Sequence, residues 1–476
     1  MRRTKIVATV GPASNAPETL RALIQAGVDV FRLNFSHGSH EFHRATIAAI
    51  RAASQAVGRD TAILQDLCGP KIRVGMMTGD AIELKSGAEA VITAKEVLGT
   101  PERFQSQYAE LPRDVSPGHR ILLDDGNLEV EVLDTNGRDE VRVHVVRGGK
   151  LKNKKGMNLP GTELSTPSVT AKDLDDLRVG LSEGVDFVAL SFIRRPEDLS
   201  PVRDALKRAY APARVIAKIE MPQALDCIQD ILKVSDGIMV ARGDLGIELP
   251  IQKVPMIQKR LIHLANSADR YVITATQMLE SMTNSSMPTR AEVSDVANAI
   301  VDGTDAVMLS GETAAGQYPV QTVKMMASIA KETEAFLAEH RPNWNFARSL
   351  SDENPVQDAL GHAALNLVED LDIKAVVVHT QTGGTAMFMS KSRPFAPILA
   401  FTPELNAARK MRLFWGVEPV LAPNIKNRTE LRTLATRVLV ERGLVKTGDK
   451  IILISGTSFG QVGAADAIVI ASIGED

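Results

Sequence analysis

The feature that most constrains the fold is a repeated alternation of short apolar segments with helical patterns. Three apolar segments, at 5–10, 30–35 and 61–67, precede residue 71, and five more, at 187–192, 214–220, 237–244, 271–278 and 306–312, follow residue 168. Alternating strands and helices form parallel βαβ units, and eight such strands close a (β/α)8 barrel. The sequence therefore predicts a TIM barrel built from residues 1–70 and 168–340.

Two further units interrupt and follow this pattern. Residues 71–167 carry many glycines and turn residues between short alternating strands, which predicts a small inserted β-barrel domain that could act as a lid. Residues 341–476 return to alternating strands and helices, with apolar segments at 375–380, 397–402 and 450–456. This last pattern predicts an open α/β sheet, so the α/β chain is expected to have three domains.

Composition excludes several classes of partner. The chain has 55 Lys and Arg against 58 Asp and Glu, a formal charge of −3, which gives no basis for binding nucleic acid or an anionic membrane. No apolar stretch approaches the ~20 residues that a membrane span needs. The two cysteines, Cys68 and Cys227, have no CxxC partner, which argues against disulfides and structural zinc. We therefore expect a cytoplasmic protein.

Polar residues at the strand ends predict an active site. Side chains two residues apart on a strand share a face, and the inward face at the carboxyl ends of barrel strands builds the site. On this parity, the groups expected at the mouth are Arg32, Asn34 and Ser36, then Asp66, then Lys218 and Glu220, then Arg242 and Asp244, then Thr274 and Thr276, and finally Ser310 and Glu312. Any one of them could simply face solvent. Six strands that end this way favour a site.

The residue types indicate a reaction class. Two carboxylates without His or Cys neighbours suit a hard, octahedral cation, Mg²⁺ or Mn²⁺ rather than Zn²⁺. A lysine beside that metal and an arginine across the mouth suit charge that develops on phosphoryl or enolate oxygens. The RGDLG turn at 242–246 could hold a carboxylate or phosphate on its backbone amides. We predict a metal-dependent site centred on Lys218, Glu220 and Asp244.

Several segments resemble the pyruvate kinase family. The similarity runs in order through most of residues 4–338, in VFRLNFSHGSHEFH, QDLCGPKIRVG, KNKKGMNLPG, AKIE, MVARGDLGIELP, ITATQMLESM and MPTRAEVSDVANAIVDGTDAVMLSGETAAGQYP, and it is looser in the last domain. The resemblance implies a glycolytic enzyme that transfers the phosphoryl group of phosphoenolpyruvate to ADP, giving pyruvate and ATP. It also implies Mg²⁺, for which Mn²⁺ can substitute, and a homotetramer.

The resemblance further implies roles for individual residues. Glu220 and Asp244 would ligate Mg²⁺, which would bridge the enolate and phosphoryl oxygens, and Lys218 would stabilise both. Arg32 would bind phosphate, and the backbone of Gly243 and Asp244 would bind the substrate carboxylate. Thr276 would serve enolate protonation, with Ser310 and Glu312 as a relay. Arg73 and Lys155 would bind the nucleotide, with His37 and Asn34 nearby.

One segment departs from the family pattern. Many members carry DTKGPE where this chain has DLCGPK at 66–71, and members with that Glu typically need K⁺. Asn34, Ser36 and Asp66 keep the side chains of the family's K⁺ ligands, whereas Leu67 replaces Thr and Lys71 replaces Glu. An ammonium group can supply the positive charge of K⁺. We therefore predict activity that does not strictly require K⁺.

The C-terminal domain resembles the family's effector-binding unit. The segment HTQTGGTA at 379–386 follows a predicted strand and opens a helix. The backbone of Thr380, Gln381, Thr382, Gly383, Gly384 and Thr385 is thus a candidate phosphate nest, although an ordinary turn has the same pattern. Some relatives place basic side chains in this loop and this chain has none, so either a sugar phosphate or AMP is a candidate effector.

Two other functions fit part of the sequence. Metal-dependent aldolases that act on pyruvate enolates also place Glu and Asp at barrel strand ends, but they do not need Arg73, Lys155 or the inserted domain. A catalytically inactive effector-binding protein would be expected to lack Lys218 or one of the carboxylates, and all three residues are present.

Overall fold

The computed structural model describes residues 1–340, 355–422, 425–456, 459 and 465–475. Eight parallel strands close into a barrel in which each strand pairs with the next along the chain and the eighth pairs with the first. These barrel strands, numbered one to eight here, are Lys5–Thr9, Val30–Asn34, Ala62–Leu67, Phe187–Leu190, Arg214–Ile219, Gly237–Ala241, Tyr271–Ala275 and Ala306–Leu309. The predicted TIM barrel is confirmed.

Helices surround the barrel and turn the chain between its strands. They are Pro17–Ala26, His40–Val57, Ala171–Ser182, Ser200–Arg208, Pro222–Asp226, Ile228–Val234, Arg242–Glu248, Val254–Ser267, Arg290–Val301, Gly311–Ala314 and Pro319–Glu339. The helix at 290 begins with a capping box, in which Thr289 and Glu292 each bond the other's backbone N–H. Within the described residues, no helix has both the length and the apolar character needed to cross a membrane.

The inserted segment forms a β unit of its own. Its larger sheet has six strands, in the order Met157–Asn158, Arg120–Leu123, Leu128–Thr135, Glu140–Arg147, Glu89–Thr93 and Arg103–Gln105, and a smaller sheet pairs Ala81–Leu84 with Gly149–Lys152. Its core is separate from that of the barrel and includes Phe104, Val130 and Val143, all fully buried. The entering and leaving chains pair at an Arg73–Gly156 bridge, and we call this crossing the hinge.

The C-terminal unit is an open five-stranded sheet. Its order is Val417–Leu421, Ile398–Thr402, Ala375–His379, Lys450–Gly456 and Ala465–Ser472, of which only the last strand is antiparallel to its neighbour. Its helices are Pro355–Asp370, Gly384–Lys391, Leu405–Met411 and Arg428–Glu441. The three predicted strands are confirmed, the first and last strands of this order were not predicted, and the predicted domain start at Arg341 lies outside the described residues.

The C-terminal unit packs against the amino-terminal ends of the barrel strands. The Tyr271 ring, at the start of strand seven, stacks on Phe414 with a centroid distance of 6.0 Å. Asp305, just before strand eight, bonds Lys391 at 2.5 Å and Arg393 at 2.7 Å, and all three side chains are buried. Removing the acidic partner of such a cluster would leave buried charge uncompensated, so it fixes the contact between the two units.

Candidate active site

Lys218 lies at the centre of a group of charged side chains inside the barrel mouth. Strand five turns Ile216 and Lys218 inward, as the parity predicted, and its neighbour Ala217 packs with the outer core. The Lys218 Nζ lies 2.8 Å from Glu220 Oε1 and 3.4 Å from Asp66 Oδ1, and it donates to Ser191 Oγ at 2.7 Å. The structure thus brings the predicted lysine together with carboxylates from strands three and five.

The charges of this group compensate each other. Burial alone would lower the pKa of Lys218, but the carboxylates of Asp66 and Glu220 outweigh burial and raise it. Burial would raise the pKa of Asp66, and the cations of Lys218 and Arg32 lower it instead. Lys218 is therefore a permanent cation and Asp66 a permanent anion at neutral pH, which is required of groups that must meet a charged substrate.

Arg32 shares the Asp66 carboxylate with Lys218. Its Nε donates to Asp66 Oδ2 at 2.6 Å, and its NH1 donates to Thr9 Oγ1 at 3.0 Å. The Arg32 side chain is only 11% exposed, so these two bonds hold the guanidinium at a fixed place. Arg32 and Lys218 thus lie on either side of a single carboxylate at this side of the mouth.

Glu220 and Asp244 fit a hard divalent cation. Glu220 is 1% exposed, and its Oε2 accepts the Phe192 N–H at 2.7 Å. The half-buried Asp244 begins the helix after strand six, and its charge helps to raise the pKa of Glu220 after burial, the larger cause. Among the described residues, no three His, Cys, Asp or Glu side chains form a metal-binding group. Two carboxylates would leave coordination positions for substrate and water, as Mg²⁺ prefers.

The parity rule fails where the chain leaves its strand. Thr274 was predicted to face the mouth, but its Oγ1 bonds Thr304 Oγ1 at 2.9 Å outside the barrel, while Ile273 and Ala275 face inward. Arg242 was paired with Asp244, yet its NH1 contacts Asp295 at 2.7 Å on the outer side. Both expectations are wrong because their phase was taken from Thr276 and Asp244, which lie beyond the strand ends at Ala275 and Ala241. Within the strands, Met239, Ile273 and Ala275 face inward, so the two-residue period places Thr274 and Arg242 outward.

Thr276 reaches the mouth by a different route. It follows strand seven with a left-handed backbone, φ +69°, and its Oγ1 accepts the Gly243 N–H at 2.8 Å. The Arg242 guanidinium donates to the Thr276 carbonyl at 2.7 Å and holds this conformation. Thr276 therefore lies beside the turn that carries Gly243 and Asp244, but it gets there through the left-handed turn and not on the inward face of strand seven.

Ser310 and Glu312 are neighbours at the end of strand eight. The Glu312 carboxylate is fully buried and accepts the backbone N–H groups of Ser310 at 2.6 Å and Leu279 at 3.2 Å. Burial raises its pKa. Its bonds in this structure hold two loops together, and the predicted proton relay through Ser310 and Glu312 stays a prediction.

The predicted nucleotide residues gather at the lid hinge. Burial lowers the pKa of His37, and the cations of Lys71 and Arg73 lower it further. The Asn34 side chain accepts the Ser36 N–H at 3.1 Å in the same loop. Lys155 lies on the lid, where its Nζ contacts Asp124 at 2.7 Å. A phosphate entering between barrel and lid would therefore meet cations from both units.

The predicted effector loop is built as a turn into a helix. The Thr380 hydroxyl accepts the Gly383 N–H at 3.0 Å, and Gly383 has the left-handed φ of +92° that favours glycine. Thr382, Gly383 and Gly384 line a cavity of about 280 Å³ together with Arg214, Arg270, Tyr271 and Lys410 from the barrel end and a neighbouring helix.

Four residues near the site were not predicted from the sequence. Thr9 and Ser191 continue the inward parity of strands one and four, after Val7 and Ala189, so the same rule would have found them. Phe192 acts through its backbone N–H, which no side-chain pattern reveals. Glu248 lies on a helix, where strand parity has no meaning.

Glu248 connects the catalytic helix to the lid. Its Oε1 accepts a bond from Asn158 Nδ2 at 3.3 Å, and its Oε2 is buried with no hydrogen-bond partner among the described residues. Both side chains line a cavity of about 40 Å³ with Lys71, Asp125 and Asp244. Burial raises the pKa of Glu248 to about 7.

Comparison with known proteins decides the family. Residues 1–323 match the family model for the pyruvate kinase barrel domain, and residues 358–471 match that for the pyruvate kinase alpha/beta domain. The chain belongs to the pyruvate kinase family. Pyruvate kinases of Staphylococcus aureus strains MRSA252 and USA300 are each 46% identical over 482 residues, which cover 100% of this chain and 81% of theirs.

A solved structure gives the same assignment. A crystal structure of a pyruvate kinase from Cryptosporidium parvum superposes with a TM-score of 0.92 at 35% identity, covering 99% of this chain and 96% of that one. The reaction is therefore phosphoryl transfer between phosphoenolpyruvate and ADP, with pyruvate and ATP as products. Membership of the pyruvate kinase family excludes the alternative function of a metal-dependent aldolase.

The raised pKa of Glu248 predicts a pH-dependent stability. The pKa of Glu248 in the folded protein, about 7, exceeds the ordinary 4.5. The contribution of this side chain to the free energy of unfolding is therefore complete below pH 4.5 and is lost as the pH rises through 7. Glu248→Gln, which stays neutral, should raise the free energy of unfolding by about 2 to 3 kcal/mol at pH 8 and leave it unchanged at pH 4. Urea unfolding of the EDTA-treated protein at both pH values measures this. Parallel stability–pH curves for the two proteins would contradict the assigned burial.

Proposed function

We propose the following roles for the residues at the barrel mouth. Lys218 stabilises the charge on the transferring phosphoryl group and on the enolate of pyruvate, and Arg32 holds phosphate oxygens. The observation that carries this proposal is the buried Lys218 ammonium, fixed between Asp66 and Glu220 at the end of strand five. A preorganised cation aimed at developing negative charge is the kind of group that lowers the barrier of phosphoryl transfer.

Glu220 and Asp244 would hold the divalent cation. When bound, Mg²⁺ would neutralise charge on the phosphoryl and enolate oxygens. The backbone of Gly243 and Asp244, at the start of a helix, would bind the substrate carboxylate. The Gly243 N–H now bonds Thr276 Oγ1, so a substrate carboxylate that took this N–H would also meet the hydroxyl. Thr276 would then serve enolate protonation, with Ser310 and Glu312 as the relay.

The nucleotide would lie between barrel and lid. Arg73 at the hinge and Lys155 on the lid would contact its phosphates, beside His37 and Asn34. Closure of the lid would bring Lys155 toward the mouth and exclude water, which otherwise competes with ADP for the phosphoryl group. The Asn158–Glu248 bond already joins the lid to the helix that carries Asp244.

Replacement of the central cation tests this assignment. Lys218→Met keeps an unbranched side chain and removes the terminal ammonium, so ATP formation from phosphoenolpyruvate and ADP should fall by at least about 10²- to 10³-fold. Mn²⁺ binding, measured by electron paramagnetic resonance, should persist. Exchange of the methyl protons of pyruvate in D₂O should remain measurable but slower, because the enolate loses one of its stabilising cations. Near-normal ATP formation in this variant would refute the role of Lys218.

We also propose that Lys71 replaces the monovalent cation. Lys71 is exposed, lies close enough to His37 to lower its pKa, and lines the small cavity beside Asp244. We infer that its ammonium reaches the region of Asn34, Ser36, Asp66 and Leu67 that would otherwise take K⁺. A tethered cation brings the charge of K⁺ without the cost of binding a free ion.

Substitution of Lys71 tests the hypothesis that its ammonium replaces K⁺. The wild-type protein in K⁺-free tetraalkylammonium buffer should keep its activity to within about threefold, because its own ammonium supplies the charge. Lys71→Glu should restore the family pattern and gain at least about tenfold on addition of K⁺. Lys85→Glu, an exposed lysine in the lid, is the matched control for the change in charge. A tenfold loss of wild-type activity without K⁺ would exclude the hypothesis.

We further propose that the loop at 380–385 binds a phosphorylated effector, a sugar phosphate or AMP. The cavity beside it combines the start of the helix at Gly384 with the cations of Arg214, Arg270 and Lys410. Asp236 and Asp269 also line it, and Arg214 bonds Asp236 at 2.7 Å, so part of the positive charge is compensated. The remaining cations and the helix N-terminus favour an anion of modest size.

Titration of the coupled assay with sugar phosphates and AMP identifies the effector. In Thr382→Asp, the exposed new carboxylate should repel the phosphate, so the half-maximal effector concentration should rise at least about tenfold while kcat without effector stays unchanged. Thr447→Asp, which adds the same charge at an exposed position in another loop of this unit, is the control. Equal responses in wild type and Thr382→Asp would place the effector elsewhere.

The assembly, the compartment and the domain limits complete the proposal. We infer a cytoplasmic homotetramer with domains at 1–70 plus 168–340, 71–167 and 341–476. Ile251 and Met256 support association, since they are 75% and 62% exposed in the short turn before the helix Val254–Ser267 and in its first turn. Apolar side chains of this size are commonly covered in an assembly.

A further inference from the structure

The turn that follows strand four touches both reactive side chains of strand five. It consists of Ser191, which is 4% exposed, and Phe192, which has a left-handed backbone with φ +56°. Strand four pairs with strand five and strand three, so its end lies between Lys218 and the segment that starts at Asp66. Neither residue of the turn has a role in the reaction described above.

The Ser191 hydroxyl has a fixed direction. It donates to the Leu67 carbonyl at 2.8 Å, and a hydroxyl has only one hydrogen. Its lone pairs are therefore left for the Lys218 Nζ, which donates to it at 2.7 Å. The Lys218 ammonium has three N–H groups and three partners in different directions, namely Ser191, Glu220 and Asp66. These partners restrain its rotation.

The Phe192 peptide holds the neighbouring carboxylate. Its N–H donates to Glu220 Oε2 at 2.7 Å while Lys218 contacts Oε1, so both oxygens of Glu220 have assigned partners. A left-handed backbone is unfavourable for phenylalanine and persists only where the surroundings enforce it. In this conformation the N–H points toward strand five.

Gly69 allows the turn to approach the end of strand three. A Cβ at this position would lie 2.8 Å from Phe192 Cδ2 and 3.2 Å from Ser191 Cβ, and its φ of +67° also favours glycine. The Gly69 N–H is in turn held by Asp173 Oδ1 at 3.0 Å. The position of the turn is thus set from both sides, independently of any substrate.

We propose that the Ser191–Phe192 turn is a positioning element for phosphoryl transfer. The Ser191 hydroxyl aims the Lys218 ammonium at the transferring group, and the Phe192 amide orients Glu220 for the divalent cation. This inference rests on the proposed role of Lys218. When substrate displaces one carboxylate from Lys218, Ser191 remains as the contact that keeps the ammonium in place.

The hydroxyl of Ser191 is tested by two replacements. Ser191→Ala should lower kcat for ATP formation about 10- to 100-fold, the range for loss of one hydrogen bond to a charged group, with the KM for phosphoenolpyruvate changed less than about threefold. Ser191→Thr keeps the hydroxyl and should recover most of kcat. Ser54→Ala, which removes a buried 2.7 Å hydroxyl pair with Thr61 far from the mouth, is the structural control and should keep the wild-type kcat.

Combining Ser191→Ala with Lys218→Met distinguishes a positioning role of Ser191 from a general structural role. If Ser191 acts through Lys218, adding Ser191→Ala to Lys218→Met should leave the exchange of pyruvate methyl protons within about twofold of Lys218→Met alone. A further loss of exchange in the double variant would show a structural role and overturn the proposal. An unchanged kcat in Ser191→Ala, or an equal loss in Ser54→Ala, would also overturn it.

The two proposals fail in different ways. Near-normal ATP formation by Lys218→Met would remove the role of Lys218 and, with it, the inference about Ser191. Normal kcat in Ser191→Ala, with ATP formation abolished in Lys218→Met, would overturn the positioning role alone.

Discussion

The catalytic mouth depends on one buried ammonium group that is held between two carboxylates. An isolated lysine at this depth would lose its proton or destabilise the fold by several kcal/mol. Lys218 avoids both outcomes because Asp66 and Glu220 lie 3.4 Å and 2.8 Å from its Nζ. The same ion pairs connect strand three to strand five across strand four, so the charge that serves the substrate also ties the barrel together at its open end.

That arrangement explains why the lid can be separate from the barrel. The lid has its own apolar core and contacts the barrel through the Asn158–Glu248 bond and through Arg194, which donates to the Leu164 and Thr166 carbonyls. These bonds do not involve Lys218, Asp66 or Glu220, so the preorganised charges do not depend on them. The raised pKa of Glu248 indicates that this side of the mouth is already poorly solvated.

The sequence predicted the fold and the centre of the site where strand geometry continues to the reactive residue. Arg32, Asp66 and Lys218 obey the two-residue period because each lies within its strand. Thr276 does not, since it follows its strand in a left-handed turn. Backbone donors such as the Phe192 N–H have no signature in residue type, and contacts across domains, such as Asn158 with Glu248, need the tertiary fold.

The barrel itself spans the distance between the proposed effector cavity and the mouth. Strand five begins at Arg214, which lines the cavity, and carries Lys218 four residues later. Strand seven begins at Tyr271, which also lines the cavity, and ends one residue before Thr276. At about 3.3 Å per residue, each path is roughly 13 to 17 Å of paired backbone. A ligand that displaced Arg214 or Tyr271 would therefore move the start of a strand whose other end carries a reactive group. Because each of these strands is hydrogen-bonded to a neighbour on both sides, it has few ways to absorb such a displacement between its two ends.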